Sequence, residues 1–238
     1  MKNTLKNKHK DLEEKMVSYK NLLPIPVKDN KEYFAVLDSV TLPNGYTPTM
    51  DDMENVTGKQ IKIRVSIFEK LKLAQKKLKE INPNYTLYVT YGYRSLEVQT
   101  KKFLEQLQIT AKNYFPDPID LYEEVHRFIA VPTVAGHPTG GAIDIVIKNE
   151  KTNESLDFGS IQYDYSTKDC YVFADHISQK AKANRLLLRK LLMKVGFAPF
   201  DGEWWHFSYG DKEWAYYYKK EFAIYDQIMY EDLDKLYA

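Results

Sequence analysis

His137, Asp144, Glu203, His206 and Arg94 are the residues of this chain whose types and spacing could do chemistry. Asp144 interrupts Ala142-Ile143-Ile145-Val146-Ile147, a run that otherwise reads as a strand buried on both faces, where an unpaired carboxylate is costly. Such a group persists when it is paired with a cation, held by several donors or bound to a metal. His137 lies seven residues upstream across Pro138-Thr139-Gly140-Gly141, a turn whose glycines let the backbone fold sharply and bring the imidazole towards the aspartate. In EWWHF, His206 follows Glu203 by three positions, so that one group can ligate a metal while the other handles protons. A regular strand would put such a pair on opposite faces, so a turn or bulge is required there. Taken singly, each has an ordinary reading: His137 as a loop histidine, Trp-Trp-His as core, Asp144 as the partner of Arg94 in a structural salt bridge.

The elements that must position these residues follow from the patterns around them. Between Val65 and Ile81, apolar Ile67, Leu71, Leu73, Ala74 and Leu78 recur among lysines at near-helical spacing, and Asn82-Pro83-Asn84 stops the helix. TLYVTYGY within 85–93 reads as a strand and 96–107 as a helix, which puts Arg94 at a strand-to-helix junction. Residues 113–136 contain three prolines and read as a long connection with a short helix near 121–129. The polar stretch after Ile147 reads as loop, and 181–195 as a helix ended by Gly196. Residues 1–20, dense in lysine and glutamate, read as a charged extension, leaving 21–238 as a single domain.

Composition narrows the class. A chain of 238 residues that is 44% hydrophobic and 28% charged has enough apolar material for one proper core. A formal net charge of +1 offers no electrostatic case for nucleic acid. The N-terminus lacks the apolar stretch of a signal peptide, and no run of ~18 apolar residues occurs, so a cytoplasmic protein without a membrane span is expected. Cys170 is the single cysteine, which excludes an internal disulfide and a thiolate-rich zinc site.

HPTGGAID fits H-x-x-G-x-A-x-D and EWWH fits E-x-W-H, and in these two motifs the chain resembles the zinc D-alanyl-D-alanine dipeptidases and carboxypeptidases. ENVTGKQI is similar to that family's N-F-x-G segment, YGYRS to its D-G-Y-R-P, and NRLLLRKLLMKVGF with EWWHFSYGDKEWA is close to the dipeptidase branch. The resemblance spans roughly residues 45–215. It implies an α+β fold in which a small, mostly antiparallel sheet carries one Zn²⁺ on one face, with the 65–81 and 181–195 helices on the other. It further implies His137, Asp144 and His206 as zinc ligands, Glu203 as general base and Arg94 as the cation facing the reacting carbonyl. DFGSIQYD resembles D-M-G-T-x-F-D with one residue more, which points to Asp164, between Asp157 and Asp169, as the carboxylate receiving a substrate's amino group. The chain departs from the family pattern at Ala135, where serine is common, at Tyr91, where aspartate is, and at Ser95, where proline is.

The implied activity is hydrolysis of a small D-amino dipeptide, D-Ala-D-Ala, by metal-activated water. A D,D- or L,D-carboxypeptidase or endolysin acting on longer cell-wall peptides would use the same zinc site. A zinc-holding binding protein without turnover is the reading from another class, and Glu203 together with Arg94 speaks against it.

Overall fold

The structure, a computed structural model, describes residues 13, 14, 16–233 and 235. Its two longest strands, 85–91 and 142–149, form where β-branched and aromatic residues concentrate. β1 (Phe34–Val36) and β2 (Lys62–Arg64) pair antiparallel as a two-stranded ribbon. β3 (Tyr85–Tyr91), β4 (Ala142–Asn149), β5 (Glu154–Ser155), β6 (Ala198–Pro199) and β7 (His206–Ser208) make an antiparallel sheet in the order β3-β4-β7-β6, with β5 on the end of β4. β4 is therefore interior, and residues 142–147 are all buried, as its nearly unbroken apolar run requires.

Register decides what the sheet presents. Asp144 lies opposite His206 on one neighbour and opposite Tyr91 on the other, and residues directly opposite in antiparallel strands project to the same face. A bulge between Val89 and Tyr91 shifts the pairing, so that Tyr91 rather than Thr90 faces Asp144. Ile143, Ile145 and Ile147 point the other way, into a core shared with helices α1 (Val65–Ile81) and, further along the chain, Gln179–Met193. Ile67, Leu71, Ala74 and Leu78 of α1 are fully buried, whereas Leu73 is exposed because it sits two residues from Leu71, off the stripe.

The remaining helices are set by their caps. Ser95 starts α2 (Leu96–Thr110) by accepting the Val98 N–H, and Asp117 followed by Pro118 starts α3 (Pro118–His126). The second cap moves α3 upstream of the 121–129 stretch read from composition. Ser178 likewise starts α4 (Gln179–Met193) two residues before the expected 181, and Gly196 ends it with φ of 96°. α2 and α3 form a second apolar cluster with Tyr19 and Leu22. Tyr19 and Leu22 belong to a helical turn capped by Ser18, and the Glu123 carboxylate of α3 accepts the N–H groups of Tyr19 and Lys20 at 2.9 and 2.8 Å. A boundary at residue 20 thus falls inside a docked turn; residues 1–12 and 15 of the expected extension lie outside the described residues. No helix among the described residues is long and apolar enough to cross a membrane.

The 156–178 loop, which closes over the inner face of the sheet, is tied down by Arg185 of α4. Its buried guanidinium donates to the carbonyls of Phe158, Tyr171 and Asp169 at 2.6–2.7 Å and to Ser160 Oγ at 3.2 Å. A hydrogen bond to a charged group contributes about 1.5–3 kcal/mol, and truncation leaves buried carbonyls without donors. Arg185→Ala is expected to lower unfolding stability by roughly 3–5 kcal/mol, read as a lower urea midpoint; a midpoint within error of the unmodified protein would contradict this role.

Candidate functional site

The cross-strand row ends in a three-residue cluster. His137, Asp144 and His206 are buried and offer one ligand atom each, all within 4.8 Å of one another. Asp144 Oδ1 is 3.6 Å from His137 Nε2 and 3.1 Å from His206 Nδ1. Its other oxygen accepts the Tyr163 hydroxyl at 3.0 Å, so the lone pairs of Oδ1 stay turned towards the two imidazoles. The aspartate that looked misplaced in an apolar strand is therefore neither solvent-facing nor paired directly with Arg94 in a structural bridge.

Each imidazole is oriented from behind. His137 sits in a single 3₁₀ turn, His137–Thr139, closed by Gly140 in the left-handed region at φ 71°, and its Nδ1 donates to the Gly92 carbonyl at 2.8 Å. That leaves Nε2 free to ligate. His206 presents Nδ1 instead, because Nε2 faces Glu213 Oε2 at 3.4 Å. The donor set of two imidazoles and one carboxylate, with the second ring nitrogens engaged and one side open, suits a metal held by three protein ligands. Charge agrees with this: although burial works against ionisation, His137 and then His206 hold the Asp144 carboxyl well below the usual range. Glu213→Ala is expected to weaken metal binding by roughly 10–100-fold, measured by competition with a chelator, and unaltered affinity would remove Glu213 from this orienting role.

Glu203 reaches the same place by the turn that its spacing demanded. Residues 201–205 turn between β6 and β7, with the His206 N–H donating to the Glu203 carbonyl at 3.2 Å. Its carboxylate accepts the Tyr165 hydroxyl at 2.7 Å, and burial pushes its pKa up to about 7. Arg94, at the end of β3, donates through Nε to Tyr91 Oη at 3.0 Å and through Nη1 to Gln99 Oε1 at 2.9 Å. Tyr91 in turn donates to Asp52, which also lies 3.8 Å from Arg94 Nε. Tyr91, one of the departures from the family pattern, thereby hands a carboxylate from a distant segment to the arginine. Of the other departures, Ser95 caps α2 and Ala135 lines the cavity onto which His137, Asp144, Glu203, His206, Glu213 and Arg94 open, a space of about 80 Å³.

Asp164 is the expected site residue that the fold keeps away. Its carboxylate accepts from the backbone and hydroxyl of Ser166 at 3.0 and 2.5 Å, and it does not line the cavity. Tyr163 and Tyr165 do, and the turn there, with Tyr163 at φ 66°, leaves the residue between them outside the cavity. Asp157 caps Gly159 and receives Ser178, also away from the site. Sequence reading missed Glu213, Tyr163, Tyr165, Asp52 and Gln99, because each meets the site only through tertiary contacts. His126 is buried and lines the cavity, its Nδ1 accepting the Val131 N–H at 3.1 Å, whereas His176 is exposed.

A family model described as D-ala-D-ala dipeptidase, peptidase family M15, matches residues 52–228. A D-alanyl-D-alanine dipeptidase of Synechocystis sp. is 24% identical over 240 residues, covering 89% of this chain and 95% of the relative. That of Enterococcus faecium is 30% identical over 104 residues, 44% of this chain and 50% of its own length. Among solved structures, VanYB in complex with D-Alanine-D-Alanine superposes with a TM-score of 0.41 at 16% identity, covering 76% of this chain and 86% of that one.

Proposed function

The chain belongs to the D-ala-D-ala dipeptidase family of peptidases, and from that membership and the site geometry we propose that it is a zinc dipeptidase hydrolysing free D-Ala-D-Ala. The observation that carries the reading is the convergence of His137, Asp144 and His206 on one point beside Glu203 and Arg94. The three ligands would hold one Zn²⁺, which when bound lowers the pKa of water from 15.7 to about 7 and polarises a carbonyl.

The chain's own groups then divide the work. Glu203, its carboxyl adjusted by burial to the working range, takes a proton from the attacking water and returns it to the leaving amine. Tyr165 fixes the rotamer of that carboxylate through its hydroxyl. Arg94, held by Gln99, Tyr91 and Asp52, directs its guanidinium to the carbonyl oxygen as negative charge builds there. A preorganised donor of this kind contributes about 3–4 kcal/mol to the transition state. The role expected for Asp164 is not carried into this proposal.

The test compares free D-Ala-D-Ala with its N-acetyl form on zinc-loaded protein. A dipeptidase is expected to cleave the free dipeptide more efficiently by tenfold or more, about 1.4 kcal/mol in the transition state. Equal or faster cleavage of the acetylated peptide would favour a carboxypeptidase, and no cleavage of either would favour a zinc-holding protein without turnover.

A further inference from the structure

Two side chains separate the active-site cavity from a second, larger one. His126 and Phe200 line the first cavity, and the same two residues line a neighbour of about 420 Å³ whose other walls include Glu13, Lys20, Glu123, Arg127 and Gly202. Neither ring is placed by accident of surface packing. His126 is 7% exposed, its Nδ1 is fixed by the Val131 N–H at 3.1 Å, and its ring lies 6.2 Å from that of Tyr19. Phe200 packs against Gly202, where a Cβ would come within 2.7 Å of the phenyl ring. On its other side the ring meets His206 edge-on at 6.1 Å.

We propose that His126 and Phe200 form an end wall that limits the substrate to about two residues, and that the polar cavity beyond them would take the extension of a longer peptide if the wall were lowered. This rests on the peptidase reading for its substrate. The wall stands between a space of about 80 Å³ that holds the reacting groups and one about five times larger that holds none of them. The larger space is bounded by charged and polar side chains from the 13–21 segment and α3, which suit a hydrated peptide rather than an apolar chain.

The experiment measures kcat/KM for D-Ala-D-Ala and for Gly-D-Ala-D-Ala and D-Ala-D-Ala-Gly, extended at the amino and carboxyl side, in the unmodified protein, His126→Ala, Phe200→Ala and Phe200→Leu. The expected result is that both alanine variants raise the tripeptide-to-dipeptide ratio for one of the two tripeptides by tenfold or more, while Phe200→Leu, which keeps most of the wall, leaves it near its original value. Zinc content is measured alongside. The same substitutions in a Glu203→Gln background, with tripeptide affinity read by calorimetry, report on the wall without turnover. An unmodified protein that cleaves tripeptides as well as the dipeptide, or alanine variants whose ratio and tripeptide affinity both stay unchanged, would overturn the proposal. Should the unmodified protein cleave no peptide, the peptidase reading fails, and the affinity series still decides the wall. Should one variant fail to fold, the other decides, since each ring is a separate part of it.

Discussion

Asp144→Ala is expected to yield a folded protein that retains almost no zinc after dialysis. Asp144 is the only anion in the ligand set, and it lies 3.6 Å from His137 Nε2 and 3.1 Å from His206 Nδ1. Without it, two neutral imidazoles would have to hold a dication in a site from which water is largely excluded, where charge neutralisation counts most. Changes to groups merely behind the ligands cost about 10–100-fold in metal affinity, so loss of the ligand itself is expected to cost more than a hundredfold. Asp144→Asn separates charge from shape, since the amide keeps an oxygen for the Tyr163 hydroxyl but carries no charge. It is expected to fold and to bind zinc nearly as poorly as the alanine variant. Metal analysis after dialysis checks both, and stoichiometric, tightly held zinc in either would remove Asp144 from the ligand set.

Glu203→Gln is expected to have the opposite profile, with zinc retained and turnover reduced by about 10²–10⁴-fold. The side chain stands beside the ligand cluster rather than in it, and glutamine keeps an oxygen for the Tyr165 hydroxyl that now meets Glu203 at 2.7 Å. What is lost is the ability to accept and return a proton, which affects kcat rather than the binding of zinc or dipeptide. Steady-state rates with parallel zinc analysis test this. A variant turning over at close to the original rate would mean that another group serves as base, and Glu213, the other carboxylate that opens on the cavity without ligating, would be the first to replace.

Much of the site is legible in the sequence because its parts are local in the chain. A carboxylate in an apolar run cannot be neutral to the fold, so Asp144 marked itself. His137 stood one glycine-rich turn away, and the three-residue spacing of Glu203 and His206 demanded the turn now seen at 201–205. The two long strands and the helix behind them were equally local, being written as β-branched, aromatic and apolar runs in 85–91 and 142–147 and as a 3.6-residue stripe in 65–81. Helix starts were less visible, since Ser178 and Asp117 act through cap hydrogen bonds that apolar periodicity does not register.

The rest required the tertiary structure because it depends on which segments meet. Only strand register sets Asp144 between Tyr91 and His206, and a single bulge chooses Tyr91 over Thr90. Only the fold joins Asp52 to Arg94 through Tyr91, or places Glu213 behind His206. The 156–178 loop carries no periodicity strong enough to say which of its side chains turns inward, and Arg185 settles that by fixing the loop's carbonyls on α4. Tyr163 and Tyr165 consequently face the cavity and Asp164 faces away. Residue types and short spacings determined the chemistry this chain could do, because ligands and base lie on two short motifs. Long-range packing decided which side chains orient, fix and enclose them, because no separation along the chain encodes the distance between two segments that meet only when the sheet closes.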